Sequence, residues 1–262
     1  MTTRREIVRA GAGLAAIIAA GKAPAALIRS MLGLRGAMMS GGGGGRFREV
    51  EWLGTNYQVQ SARTKPHGAF VLSDLSGLVM SRVKVSAKCV YRGNDQLGFK
   101  FLCGCERNDN ESGNFKIMTN GVNTGWRITN NEDIGVHFSP NEPLNIVFDG
   151  PNKAFTQNGV EKILTSSFST NTSNRRFGIG GAEFVVYGSH PHRGERMWRG
   201  LLGRMTVVYD GVCVGDFVPV LDTESERYGF FDDVGDKFYA SATDIPFVIG
   251  STSGSASDAA VK

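Results

Sequence analysis

Three acidic residues near the carboxyl-terminal end have the spacing that best suits acid–base chemistry. Asp222, Glu224 and Glu226 alternate in the segment DTESE, so a strand there would carry all three carboxylates on one face. Retaining glycoside hydrolysis uses a pair of carboxylates about 5 Å apart as acid and nucleophile. Acids are more often solvated surface groups, so we favour a non-catalytic role for these three.

A basic and aromatic segment, GSHPHRGERMWRG, is the best candidate for ligand binding. Arg193, Arg196 and Arg199 could bind carboxylates through their forked guanidinium groups, and Trp198 could stack on the face of a sugar. These four residues therefore predict a loop that binds a sugar acid or a partner protein.

Two other groups of residues resemble metal ligands only loosely. His190, His192 and Glu195 could donate two imidazoles and a carboxylate, but a loop rich in Gly, Pro and Arg would hold them poorly. Asp232, Asp233 and Asp236 lack the alternation and the distal Glu of a calcium loop, and their D-x-x-G-D pattern is typical of a hairpin turn. We therefore predict no metal site.

Several function classes are disfavoured by what the sequence lacks. It has no phosphate loop, no dinucleotide fingerprint and no nucleophile with a recognisable base, so we predict neither an enzyme nor a cofactor. The net charge is only +4, and no dense basic stripe with aromatics follows residue 48, which argues against nucleic-acid binding. Four irregularly spaced cysteines, at positions 89, 103, 105 and 213, predict buried free thiols.

The amino-terminal segment allows two interpretations. Thr3 to Arg9, with Arg4 and Arg5 adjacent, resembles the twin-arginine export signal, and the uncharged run Ala10–Ala20 and the triplet Ala23–Ala25 supply an apolar region and a cleavage site. Apolar residues nevertheless continue to Leu34 with the 3,4 spacing of a coiled-coil seam, although half of the seam positions are Gly or Ala. Gly21 and Pro24 indicate the end of one helix and the start of another, so we predict two short helices that act as an anchor. Both interpretations stay open.

Composition divides the chain into four parts. Five consecutive glycines, Gly41 to Gly45, indicate a flexible linker. We predict a helical anchor or signal-like segment over residues 1–40, the linker over 41–45, one β domain over 46–250 and a flexible polar tail over 251–262.

The chain after the linker alternates with the period of β-strands. In SRVKVSAKCVY, Val83, Val85, Ala87 and Cys89 alternate with polar residues, and Asp210-Gly211 between apolar runs predicts a type I′ hairpin. The 35 glycines and the many turn dipeptides predict roughly a dozen short strands packed as a sandwich.

Both ends of this region resemble one fold family. The start EVEWLGTNYQVQ supplies Glu49, Val50, Glu51, Trp52, Gly54, Thr55 and Tyr57, and the close supplies Tyr209, Asp210, Gly211, Asp216 to Pro219, Tyr228, Gly229, Phe231, Asp232 and Lys237 to Tyr239. They resemble the concanavalin A-like, laminin G-like jelly rolls of phage and prophage structural proteins and of secreted gut-bacterial proteins. The resemblance implies an all-β, antiparallel jelly-roll sandwich, preceded here by the short helical segment, with function in grafted loops.

These observations predict a non-catalytic, surface-displayed binding or structural module. The leading hypothesis is a phage virion protein (a fibre, decoration or receptor-binding component) that contacts other virion or surface proteins through residues 1–40. A host-surface glycan is its candidate ligand, and a homo-oligomer, with a trimer preferred by resemblance to phage fibres, is its expected state. The alternative is a lectin-like protein exported by the twin-arginine route to the bacterial periplasm or cell surface; a glycoside-active enzyme ranks last.

Overall fold

The computed structural model describes residues 45–58, 65–93, 99–105, 115–119, 124–128, 132–165, 168, 175–182 and 196–252. These residues form two antiparallel sheets packed face to face, which is the predicted β-sandwich of the jelly-roll type. The predicted amino-terminal segment and the polar tail beyond residue 252 lie outside the described residues, as do Arg4 and Arg5. Within the described ranges no helix is long and apolar enough to cross a membrane.

The larger sheet contains most of the described strands. Its order is β11-β10-β9-β4-β13-β14-β15-β16, with β1 beside β14, and with β2 beside β13 and β17. These strands are β1 Phe47–Glu49, β2 Leu53–Gly54, β4 Val83–Tyr91, β9 Pro143–Asp149, β10 Ala154–Gln157, β11 Val160–Ile163, β13 Gly200–Tyr209, β14 Val212–Asp222, β15 Arg227–Asp232, β16 Lys237–Tyr239 and β17 Val248–Ile249.

The smaller sheet covers one face of the larger one. Its order is β3-β12-β5-β6-β7-β8, and a 3₁₀ turn at Met80–Arg82 leads from it into β4 of the larger sheet. Its strands are β3 Val71–Leu72, β5 Phe101–Cys105, β6 Phe115–Thr119, β7 Gly125–Ile128, β8 Glu132–His137 and β12 Gly178–Ile179.

Strand β4 shows how alternation builds the core. Val83, Val85, Ala87 and Cys89 are buried, while Lys84 and Lys88 are exposed. This strand pairs with β9 on one side and β13 on the other, so its buried face contributes to the centre of the sandwich. Burial of apolar surface is the main favourable term that holds the two sheets together.

The predicted hairpin at Asp210-Gly211 is confirmed. Tyr209 pairs with Val212 across it, and both turn residues have positive φ, 50° for Asp210 and 79° for Gly211. Type I′ turns require this conformation at both central positions, and their twist matches that of the flanking strands.

The edge of the larger sheet at β11 differs from its interior. All four residues of this strand are exposed, and Val160 and Ile163 keep 75% and 60% of their surface accessible. The strand pairs only with β10 among the described strands, across the turn at Asn158-Gly159. Among the described residues, β11 therefore presents an open strand edge.

The prediction of buried free thiols is confirmed for Cys89, Cys103 and Cys105, while Cys213 is half-buried. None of the four forms a disulfide, and the three buried side chains belong to the core between the sheets. Burial in this apolar environment raises the pKa of the Cys89 and Cys103 thiols well above the ordinary value.

Candidate functional site

The three alternating acids do not share a strand face, because only the first of them lies in a strand. Strand β14 ends at Asp222, and Glu224 and Glu226 lie in the turn that leads to β15. Asp222 is buried, and it accepts hydrogen bonds from Nε and Nη2 of Arg46, both at 3.0 Å. Its carboxylate is therefore engaged in a structural ion pair.

The acids of the following hairpin form a turn, as predicted. Strand β15 ends at Asp232, and β16 begins at Lys237. The Asp232 carboxylate accepts hydrogen bonds from the backbone N–H groups of Asp216 and Val234, at 2.9 and 3.0 Å, and burial raises its pKa. Among the described residues no group of three or more potential metal ligands comes together.

The predicted basic loop is described only from residue 196 onward. Arg193, His190, His192 and Glu195 lie outside the described residues. Trp198 is completely buried, its indole N–H donates to the Leu201 carbonyl oxygen at 3.2 Å, and its ring stacks on Trp126 at 6.1 Å. The prediction that Trp198 stacks on a sugar is therefore wrong, because this large apolar ring is part of the core.

The two described arginines of that loop do face aromatic rings. The Arg199 guanidinium lies 5.5 Å from the centre of the Tyr57 ring, and the Arg196 guanidinium lies 5.2 Å from the centre of the Phe99 ring. Both rings are half-buried, so part of each remains accessible. In such a contact the cation is attracted electrostatically to the electron-rich face of the ring.

Each ring has a second cation beside it. Lys100 Nζ lies 4.9 Å from the Tyr57 ring centre and donates to the Tyr57 hydroxyl at 3.0 Å, and the Arg127 guanidinium lies 4.8 Å from the Phe99 ring centre. We call this set of residues the cationic–aromatic surface: Tyr57, Phe99, Lys100, Arg127, Arg196 and Arg199.

The Tyr57 half of the surface is fixed by backbone pairing. The backbone N–H of Gln58 donates to the backbone carbonyl oxygen of His67 at 2.6 Å, and that of Ala69 donates to the backbone carbonyl oxygen of Thr55 at 2.7 Å. The Tyr57 hydroxyl also lies 3.3 Å from Nδ1 of His67. In addition, the Thr55 hydroxyl donates to the Trp198 carbonyl oxygen at 2.9 Å. This hydrogen bond holds the backbone next to Arg199 against the backbone that leads to Tyr57.

The Phe99 half lies on the outer face of the smaller sheet. Arg127 on β7 is opposite Met118 on β6, Met118 is opposite Phe101 on β5, and Phe101 bridges to Met197. Phe101, Met118 and Met197 belong to an apolar cluster separate from the central core, with Phe99 packed against it. The sheet register therefore brings Arg127 beside the segment that carries Arg196.

This arrangement can bind a ligand that combines apolar and polar groups. Aromatic rings pack on apolar faces, and guanidinium groups hydrogen-bond planar anions through two donors. Sequence reasoning singled out Arg196 and Arg199 as candidates but did not single out Tyr57, Phe99, Lys100 and Arg127. These residues are far apart along the chain, and no local spacing marks them as neighbours.

Comparison with known proteins adds little about function. No protein-family model matches the chain, and no curated protein matches it. A solved structure from Bacteroides ovatus ATCC 8483, described as a "putative carbohydrate binding protein", is similar with a TM-score of 0.46 and 12% sequence identity. The match covers 78% of this chain and 63% of that chain, so this chain spans less than two thirds of that protein's length.

Proposed function

We propose that this protein is a non-catalytic, surface-displayed binding module that recognises a glycan through the cationic–aromatic surface. One observation carries the proposal: two half-exposed rings, Tyr57 and Phe99, are each contacted by two cationic side chains. A ring offers a platform for the apolar face of a sugar, and the half-buried guanidinium groups of Arg127, Arg196 and Arg199 offer hydrogen-bond donors to the sugar's oxygen atoms. Lys100 is itself buried and supports the Tyr57 ring from below.

The positions of the acids support a non-catalytic role. Asp222 is paired with Arg46, and Asp216 accepts from Nε of Arg204 at 2.8 Å. Glu224 and Glu226 are exposed turn residues. A glycosidase needs an acid and a nucleophile that face its substrate, whereas Asp222 is buried and shares the Arg46 Nε with Glu224, at 3.0 and 3.2 Å.

The amino-terminal sequence supports display on a particle. The run Gly41–Gly45, whose composition predicts flexibility, would let the sandwich sample ligands while residues 1–40 stay bound to other virion or surface proteins. A trimer would add avidity to weak single-site binding. We therefore place the module on a virion surface, as a fibre, decoration or receptor-binding protein.

A second candidate rests on Arg4 and Arg5. Their twin-arginine context favours a lectin-like protein exported folded to the bacterial periplasm or cell surface. Intact-mass spectrometry of the native protein, with amino-terminal sequencing, separates the two. A full-length mass supports the anchored virion protein, and a chain that begins near Ala26 supports the exported one.

Glycan binding is tested with the full-length chain and variants of the two rings. We expect the wild-type protein to bind glycans on an array and to give a measurable heat of binding in titration calorimetry. The variants Tyr57→Ala and Phe99→Ala should lose most of this binding. Tyr209→Ala is the matched control, because Tyr209 also carries a cation, Arg82, at 4.8 Å from its ring centre. Absence of glycan binding by the folded wild type, or equal losses in all three variants, contradicts the proposal.

A further inference from the structure

Strand β11 is an edge strand whose hairpin is held at both ends. At the turn, the backbone N–H of Asn158 donates to the Asn145 carbonyl oxygen and the backbone N–H of Asn145 donates to the Asn158 side chain, both at 2.8 Å. At the other end, the backbone N–H of Leu164 donates to the Lys153 carbonyl oxygen at 2.7 Å. The hairpin therefore presents β11 as a preformed strand, which reduces the entropy that is lost when another strand pairs with it.

The outward backbone groups of β11 belong to Glu161 and Ile163. Gln157 is directly opposite Val160 across a two-residue turn whose residues both have positive φ. In a hairpin of this type the residues that flank the turn form a hydrogen-bonded pair, so the N–H and C=O groups of Val160 point toward β10. This orientation alternates along a strand, and the same groups of Glu161 and Ile163 therefore point away from β10. Nothing in the part of the chain that the structure describes pairs with them there.

The far end of the same sheet differs, because another segment of the chain protects it. At β16 the Lys237 ammonium contacts the Asp74 carboxylate, and the Tyr239 hydroxyl accepts from the backbone N–H of Asp74 at 3.3 Å. A segment laid against an edge in this way is a common protection against pairing with other chains. Strand β11 has no such cover among the described residues, and it exposes both Val160 and Ile163.

The side chains of β11 specify the partner strand. Val160 and Lys162 lie on one face of the strand, Glu161 and Ile163 lie on the other, and all four are exposed. Opposite charges directly across an antiparallel pair are favourable, whereas like charges are unfavourable. A complementary antiparallel strand therefore has a basic residue opposite Glu161, an acidic residue opposite Lys162 and an apolar residue on either side.

We propose that the β11 edge binds an extended segment of another protein with the pattern apolar–acidic–basic–apolar, which adds a strand to the larger sheet. Backbone hydrogen bonds to Glu161 and Ile163 provide affinity, and the side-chain pairs provide specificity. A folded second copy does not fit, because β10 occupies the edge of its β11 that would have to face Glu161. The interface uses no residue of the cationic–aromatic surface, so it is independent of glycan binding.

The test uses full-length, isotope-labelled protein and two capped peptides of equal composition, Thr-Val-Glu-Lys-Ile-Thr and Thr-Val-Lys-Glu-Ile-Thr. The first peptide has the complementary pattern, and the second opposes like charges at both positions. Amide hydrogen exchange measured by NMR reports strand pairing residue by residue. We expect the first peptide to slow exchange at Glu161 and Ile163, and to bind about fivefold more tightly than the second.

Two variants and one control test the assignment of residues. The double variant Glu161→Lys with Lys162→Glu should reverse the preference between the two peptides, and it should fold because both side chains are exposed. Val160→Thr should weaken binding of the first peptide about threefold. Val212→Thr is the matched control, because Val212 is also an exposed valine directly after a two-residue turn, and it should bind as wild type does.

Several results would overturn the proposal. They are equal binding of the two peptides by wild type, an unchanged preference in the double variant, and unaltered exchange at Glu161 and Ile163 with the first peptide. Exchange at these amides that slows as the protein concentration rises, without peptide, would identify a second copy as the occupant and also overturn it. Tyr57→Ala and Phe99→Ala should leave peptide binding unchanged, so the failure of glycan binding and the failure of this proposal are distinguishable.

Discussion

Arg46 and Asp222 form a two-point ion pair that joins the start of the sandwich to the end of β14. Two guanidinium nitrogens each lie 3.0 Å from one carboxylate oxygen, and the Ser225 hydroxyl also donates to this carboxylate at 2.7 Å. The Asp222 side chain is buried, whereas Arg46 is half-exposed. The pair therefore fixes Arg46, the residue that directly follows the run Gly41–Gly45 in the sequence, against the end of β14.

This ion pair predicts a specific acid sensitivity. The hydrogen bond from Arg46 is the main cause that lowers the pKa of Asp222 from 3.8 to about 2. Because the folded-state pKa lies below the unfolded one, the stabilisation is fully present above about pH 4 and is lost as the pH falls toward 2. Asp222→Asn should lower the free energy of unfolding by about 1–2 kcal/mol at pH 7 and flatten its pH dependence in that window.

Chemical denaturation at several pH values measures this effect, with Asp210→Asn as the control. Asp210 pairs with Arg82 on the surface, where both side chains are about half-exposed, and exposed pairs contribute about 0–1 kcal/mol. An Asp222→Asn variant as stable as Asp210→Asn would contradict the structural role of the buried carboxylate.

The position of Trp198 predicts a large loss of stability on truncation. Removal of a fully buried aromatic side chain costs about 3–5 kcal/mol, and Trp198→Ala would also leave the stacked Trp126 beside a cavity. Tyr57→Ala, at the half-exposed ring, should cost far less. Thermal unfolding of the two variants gives the comparison, and a Trp198→Ala variant of near wild-type stability would show that the ring is not a core element.

Replacement of Gly104 by alanine should cause a steric clash in addition to backbone strain. Gly159, which also has positive φ but open space around it, serves to measure the strain alone. Gly104 lies in β5 with a φ of +140°, and a Cβ there would lie 2.3 Å from the Phe115 carbonyl oxygen. Gly159 also has positive φ, at +84°, but a Cβ there meets nothing within 4 Å. Gly159→Ala should cost about 1 kcal/mol, and Gly104→Ala clearly more, by denaturant unfolding. Equal costs would contradict the close approach of β5 and β6.

The thiols predict selective chemical reactivity. Burial raises the pKa of the Cys89 and Cys103 thiols, and since the thiolate is the reactive form, alkylation at neutral pH should be very slow there. The half-buried Cys213 should react first, although its pKa is raised as well. Peptide mapping after brief iodoacetamide treatment of native and unfolded protein checks this order. Labelling of Cys103 before Cys213 in native protein would contradict the packing of β5.

The fold was predictable from local patterns, whereas the site was predictable only in part. Alternation over Val83 to Cys89 and the dipeptide Asp210-Gly211 encode a strand and a hairpin within a few residues, so they can be recognised without tertiary information. Trp198 was misassigned because a tryptophan between arginines occurs both in cores and in binding loops, and the local sequence does not distinguish the two. The contact of Lys100 with Tyr57 depends on pairing between remote segments, which no spacing in the sequence reveals.

The open edge at β11 has a consequence for solubility. In a regular antiparallel ladder, a residue whose N–H and C=O groups point toward the neighbouring strand lies opposite a residue of the same kind. Two copies of one strand can therefore pair only in every second register. The registers that pair most of this strand with the same strand of a second molecule therefore place Glu161 opposite Glu161, or Lys162 opposite Lys162. Like charges opposed in this way are unfavourable. Val160 and Ile163 can thus remain exposed on a strand that pairs on one side with β10, because two molecules repel one another at its open edge before their sheets can join into an aggregate.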